Sequence, residues 1–211
     1  MIIAIDGPAA AGKGTLARRL AQHFDLAFLD TGRLYRAVAY EIFKSGIDPN
    51  DIKTVVLAAR SLDPDKIELI DLYTEKIAEI ASVIAAIPAV RKELLVYQRN
   101  FAYSPPNDKT GAVLDGRDIA SVVCPDASYK FFVTASLDVR SKRRYKELQE
   151  NGRKSTYAAV LADIQQRDER DRTRKVSPLK TVDAIVIDTS GKSPSAVFLR
   201  ALEYIEGDQL N

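Results

Sequence analysis

The 211-residue chain holds one cysteine and one histidine, and each scarcity removes a class of chemistry. Cys124 has no partner within the chain, so an intrachain disulfide is impossible and a reducing cytoplasm is the expected setting. His23, next to Phe24, can belong to no histidine-based zinc site and is expected to be structural or at the surface. No apolar run approaches the roughly 20 residues that span a bilayer. The opening MIIAIDGPAA lacks the charged start and long apolar stretch of a secretory signal and leads straight into an expected core strand. An excess of one charge is missing too. Lys and Arg number 31 against 29 Asp and Glu, and the net +2 is too small to make the whole chain a nucleic-acid binder.

What is present is an alternation of short strand-like runs, β-branched at Ile2–Ile5, with segments of helical periodicity. Strands are expected at Ile2–Ile5, Leu26–Leu29, Ala112–Leu114, Tyr129–Val133 and Ala184–Ile187. Helices are expected at Lys13–Phe24, Arg33–Phe43, Asp51–Arg60, Thr74–Ala85, Leu137–Glu150, Ser155–Arg172 and Pro194–Ile205. Pro88 suits the first turn of a further long helix reaching about Phe101. The stretch from Pro64 to Ile70 has no clear period. Strands alternating with helices predict an α/β fold with a parallel sheet and right-handed crossovers.

Gly7-Pro8-Ala9-Ala10-Ala11-Gly12-Lys13-Gly14-Thr15 has the glycine spacing and lysine of a P-loop, between an expected strand and an expected helix. Small residues let successive backbone N–H groups turn toward phosphate oxygens at a helix N-terminus, whose unpaired donors and dipole favour an anion. Lys13 can reach the β- and γ-phosphates. Gly14 follows the lysine, so the hydroxyl expected at a magnesium ion arrives one place later, at Thr15. Asp115, ending an apolar run, is the candidate carboxylate for Mg²⁺; a turn-capping role is the plainer alternative.

An acceptor that is itself a phosphate ester needs a second anion site, and forked guanidinium groups suit it. Arginines cluster in DTGRLYR (Asp30–Arg36), at Arg91 and Arg99, in DGRD (Asp115–Asp118) and in RDERDRTR (Arg167–Arg174). Arg167, Asp171 and Arg174 fall at i, i+4 and i+7, on one face of a helix; taken alone, the segment also reads as a solvated charged face. Arg140, Lys142, Arg143 and Arg144 open a helix that runs to the turn Gly152-Arg153-Lys154. That arginine-rich helical hairpin is a candidate lid that would exclude water from a migrating phosphoryl group.

Together, GPAAAGKGT, LDTGRLYR, ASVIAAIPAVRKELLVYQRNFA, DGRDIASVVCPDA and RDERDRTRKVSPL resemble the bacterial cytidylate kinase family of nucleoside monophosphate kinases, in the same order over almost the whole chain. The resemblance implies a P-loop kinase fold with a five-stranded parallel sheet flanked by helices. It implies one domain over residues 1–211, with a monophosphate-binding insertion at 36–100 and a lid hairpin at 140–172. By the same resemblance Thr31, Ser82 and Asp118 read the cytosine ring or its surroundings, with Arg117 alongside, and Arg36, Arg91 and Arg117 hold the acceptor phosphate. Asp171 bonds the sugar hydroxyls, Arg167 and Arg174 point at phosphates during transfer, and Lys13 with the lid residues Arg143 and Arg144 serves ATP. The chain departs from the family's usual text at Arg33, at Tyr73, where an arginine is frequent, and at Ala120-Ser121.

The expected activity is direct in-line transfer of the γ-phosphate of ATP to CMP or dCMP with Mg²⁺, by a monomer that binds neither nucleic acid nor membrane. Lys13, Arg117, Asp118, Arg167 and Arg174 are the expected catalytic residues. Rival readings are a P-loop kinase for another small acceptor such as UMP and, more distantly, a non-kinase nucleotide-binding or nucleic-acid-binding protein.

Overall fold

Each run expected to be a strand is one in the computed structural model, which describes residues 1–64 and 72–208. Strands β1 (Ile2–Asp6), β2 (Ala27–Asp30), β3 (Ala112–Gly116), β4 (Tyr129–Thr134) and β5 (Ile185–Asp188) form a parallel sheet in the order β2-β3-β1-β4-β5. Helix α1 (Lys13–His23) joins β1 to β2. Helices α2 (Thr31–Lys44), α3 (Ile52–Arg60), α4 (Glu75–Ile84) and α5 (Pro88–Tyr103) lie between β2 and β3. A π-helical turn, Ile119–Val123, precedes β4; α6 (Leu137–Glu150) and α7 (Tyr157–Thr173) precede β5, and α8 (Pro194–Asp208) closes the chain. Asp51, Thr74, Ser136 and Thr156 each cap a helix start by accepting from a backbone N–H, which is why α3, α4, α6 and α7 begin where they do.

Side-chain alternation assigns the two faces of the sheet. Ile3, Ile5, Val113, Phe131, Val133 and Ile187 pack beneath α1 and α8, while Ala4, Leu29, Ala112 and Leu114 pack against Ile119, Val123 and Ala102 on the other side. The same alternation sorts the carboxylates at the strand ends. Asp30 and Asp115 are register partners across β2 and β3 and share the α1 face, whereas Asp6 shares the face of Ala4.

Helices α2–α5 bury an apolar cluster of their own, including Val38, Ile42, Val55, Ile80, Ile84 and Leu94. A much smaller one, Leu148, Val160 and Ile164, joins α6 to α7. The expected helix at Arg33–Phe43 begins two residues earlier, at Thr31, because Asp30 accepts from Arg33 N and caps it. The stretch without clear period falls largely outside the described residues.

Candidate active site

The phosphate loop follows from three local demands. Gly7 passes so near β4 that a Cβ there would lie 1.9 Å from Val133 O. Ala10 and Gly12 take positive φ, 57° and 95°, turning the chain into α1, whose N-terminus has no side-chain cap. Backbone donors are thereby left facing the crevice at the carboxyl ends of the strands, where α/β sheets bind their ligands. Lys13 is buried, and its Nζ donates to Pro8 O at 2.9 Å. Burial, then Arg117, push its ammonium well below the usual lysine range against the pull of Asp115. Phosphate charge would offset both effects.

Asp115 is no turn cap. It lies buried in β3 with its carboxyl group toward α1, and burial, then Asp30, push that group up. A Cβ on Gly14 would lie 3.1 Å from Asp115 Oδ2 and 3.6 Å from an Arg18 guanidinium nitrogen, so the residue following the lysine has little room for a side chain. Thr15 is exposed and does not line the cavity. Successive helical residues point about 100° apart, and it is Gly14 that faces Asp115. Among the described residues no group of three or more His, Cys, Asp or Glu side chains could hold a metal. Mg²⁺ commonly uses one or two carboxylates and takes its other ligands from water and phosphates. Asp115, with Asp30 beside it, fits that demand without Thr15.

A cavity of about 760 Å³ opens over the loop between α2, α4, α6 and α7. It brings together Lys13, Thr31, Arg36, Ser82, Arg91, Asp115, Arg117, Asp118, Arg144, Arg167, Asp171 and Arg174, residues drawn from six helices and the end of β3. Thr31 Oγ1 donates to Asp115 O at 2.7 Å, so its hydroxyl oxygen retains acceptor capacity toward the cavity. Ser82 Oγ is buried with no hydrogen-bond partner among the described residues. Arg91 forms a buried ion pair with Asp118 and donates to Ala85 O at 3.0 Å. Arg117 Nε donates to Asp171 Oδ2 at 2.9 Å, and Arg174 Nη1 lies 3.6 Å from Asp171 Oδ1. Asp171 is buried, and although burial alone would raise its carboxyl, Arg117, Arg167 and Arg174 hold it below the ordinary range. The solvated charged face is thus excluded for Arg167, Asp171 and Arg174, while Glu169 and Arg172 form an exposed ion pair on the other side of the helix.

Cations outnumber their partners here. Arg167 makes no ion pair among the described residues, and its Nε and Arg174 Nη2 are buried without a hydrogen bond. Burial pushes the Arg167 guanidinium down, and Arg117 pushes it further; burial and Arg144 do the same to Arg36. A cluster of buried, mutually repelling arginines is stabilised by a polyanion.

Arg143 points elsewhere. It donates to Thr189 Oγ1 and Thr189 O, both at 2.8 Å, and its Nη1 lies 3.5 Å from Ala11 O. That arrangement fastens α6 to the phosphate loop and to the end of β5 and does not present the guanidinium to the cavity; Arg144, one residue on, lines it. The cavity is also lined by residues to which the sequence alone assigns no role, among them Arg18, Asp30, Tyr73 and Arg170. The signals were available for Asp30 in LDTGR and for Arg170 in the same arginine run as Arg167. Arg18 looks like an ordinary exposed residue of α1, and Tyr73 stands out in the sequence only as a departure from the family's text, although its ring sits 5.1 Å from the Arg36 guanidinium.

A five-stranded parallel sheet in this order, with a glycine-turned anion cradle at the end of its central strand and an arginine-lined cavity beside it, defines a P-loop kinase for a small phosphorylated acceptor. The family model for cytidylate kinase matches residues 3–207, and the chain belongs to the cytidylate kinase family. A cytidylate kinase of Paramagnetospirillum magneticum is 54% identical over 97% of each chain, and one of Rhodospirillum rubrum is 51% identical with the same coverage. One of Methylocella silvestris is 53% identical over 98% of this chain and 94% of its own. Among solved structures, an uncharacterized protein from Eubacterium ventriosum matches with a TM-score of 0.56 at 14% identity over 98% of each chain. A sugar kinase from a Janibacter species matches with a TM-score of 0.50 at 14% identity, over 97% of this chain and 94% of that one. At such identity the likeness is one of fold alone.

Proposed function

We propose that the protein transfers the γ-phosphate of ATP to CMP or dCMP, giving CDP or dCDP and ADP. The observation that carries this reading, beside the family membership, is the cavity itself. The phosphate loop and a surplus of buried guanidinium groups surround one space, and in this reading Thr31, Ser82 and the Asp118–Arg91 pair, which also line it, form the acceptor end.

Phosphoryl transfer asks the protein mainly to hold two polyanions in line and neutralise charge. The loop amides and Lys13 hold the donor phosphates, and Arg36, Arg91 and Arg117 hold the acceptor phosphate. Arg167 and Arg174 face the charge that develops between them, and Asp118 orients the acceptor. Asp171 keeps Arg117 and Arg174 in place and offers its carboxylate to the sugar hydroxyls. Asp115, with Asp30, would hold Mg²⁺, which supplies charge neutralisation on the donor phosphates when bound. Helices α6 and α7 serve as the lid and α2–α5 as the insertion that covers the monophosphate. One chain supplies the whole site, and the protein is proposed to act as a monomer.

The test is ADP release from ATP and Mg²⁺ with CMP, dCMP, UMP, AMP and dTMP offered in parallel. Turnover with CMP and dCMP well above the rest is expected. Preference for another monophosphate would overturn the roles of Thr31, Ser82 and Asp118, and silence with all five would overturn the kinase reading. A trapped phospho-enzyme would contradict direct transfer.

A further inference from the structure

Asp6 ends β1 and immediately precedes Gly7 of the phosphate loop, yet its side chain serves another segment. Strand alternation turns it to the sheet face opposite Asp115, where Oδ1 accepts from Ile119 N and Oδ2 from Ala120 N, each at 2.8 Å. These two amides open the π-helical turn that follows Arg117 and Asp118 directly. The first N–H groups of any helical turn need acceptors. Asp118, at the capping position, gives none from its side chain, its carboxylate being paired with Arg91. Asp6 provides the missing cap from a strand 113 residues earlier, at 2% exposure, where water is no substitute. Only a carboxylate offers two acceptor oxygens and no donor to a pair of N–H groups; an amide would turn a donor toward one of them.

We infer that Asp6 is a positioning residue for the acceptor pocket, holding through the Ile119 and Ala120 amides the turn that aims Arg117 and Asp118. The strand that carries the donor's phosphate loop thereby also sets the acceptor's guanidinium and carboxylate. This rests on the reading of Arg117 and Asp118 as acceptor ligands. It makes a counter-intuitive demand: a change beside the ATP cradle must be felt by the other substrate.

The experiment compares wild type, Asp6→Asn and Asp6→Ala for kcat, the KM of CMP, the KM of ATP and the melting temperature. Asp6→Asn, nearly isosteric, keeps one of the two bonds and stands in should Asp6→Ala not fold. The expected result for Asp6→Asn is a rise of about tenfold in the KM of CMP, with the KM of ATP within about twofold of wild type. Asp6→Ala moves the same way and further. A lowered melting temperature with both KM values unchanged, or a rise in the KM of ATP that exceeds that of CMP, would overturn the inference. Wild type that prefers a different monophosphate defeats the functional reading alone, and the same split is then read with that acceptor.

Discussion

Arg91 and Asp118 are both buried, and each is the other's main source of compensation. Removing one partner of such a pair leaves a charge without either water or counter-ion. Asp118→Ala should therefore lower stability by about 3–5 kcal/mol, read from urea melts, besides weakening the acceptor. A loss of only a few tenths would show that Arg91 is satisfied by Ala85 O and by the Tyr35 ring 5.5 Å away. A second prediction concerns pH. Burial pushes the Asp6 carboxyl up from 3.8 to about 6, against the two backbone bonds that lower it. Between those values the folded chain keeps a proton that the unfolded chain has lost, so stability falls through this group as pH rises. Asp6→Asn has no such decline. Wild-type stability relative to Asp6→Asn should drop by about 3 kcal/mol between about pH 4 and about pH 7, and a rise over that range would contradict the burial argument. At this scale the sequence was informative wherever a motif supplied context. Lys13 stands out by the spacing of its loop, and Arg117 and Asp118 through the family resemblance; Asp6 does not, because its partners are remote in the chain and are backbone amides without a residue signature.

Helix α6 meets α7 through Leu148, Val160 and Ile164, with Tyr145 and Tyr157 packed edge to face and the Tyr157 hydroxyl donating to Asp138 at 2.8 Å. So small an apolar seam suits the lid role proposed for these elements. From the turn between these helices Arg153 donates to Tyr73 O, the residue whose ring lies under Arg36, while Arg36 itself donates to Leu72 O at 3.1 Å. Leu72-Tyr73 is thus gripped from the lid and from the acceptor side together. Arg153→Ala should raise the KM of CMP several-fold, on the order of one lost hydrogen bond, with the melting temperature barely changed. An unchanged KM would show the contact to be incidental. Most element bounds were legible because caps and apolar periods agree: α6 runs over the expected Leu137–Glu150, and the other helices shift by a few residues at their ends. The π-helical turn was not legible. Ile119-Ala120-Ser121-Val122-Val123 contains no turn-forming glycine, proline or asparagine, and its stabilising cap comes from β1.

Among the described residues the buried apolar side chains divide into the two sheet faces, the separate cluster of α2–α5 and the small α6–α7 seam. Native-state hydrogen exchange should find the amides of α2–α5 opening as one unit before those of β1, β3 and β4, since the strands are enclosed on both faces and the helical cluster is not. Exchange of both groups at a single rate would mean that the chain opens only globally. The parallel sheet was readable from alternating runs, but the order of its strands was not, since order depends on crossovers that no local pattern encodes. The division between insertion and sheet was likewise invisible in composition, both being rich in Val, Ile, Leu and Ala. Arg140 and Arg143 add a final consequence. Near its start α6 is fastened at Ala9 O, Ala135 O, Asp168, Thr189 and the neighbourhood of Ala11 O. A helix pinned at one end behaves as a lever. At about 1.5 Å per residue, the Gly152 turn lies roughly 18 Å beyond Arg140, and a swing of about 15° would carry it about 5 Å. Arg144, beside the pivot, would travel little over the same arc, so the turn bearing Arg153 would sweep while the Arg144 guanidinium at the cavity wall stays almost still.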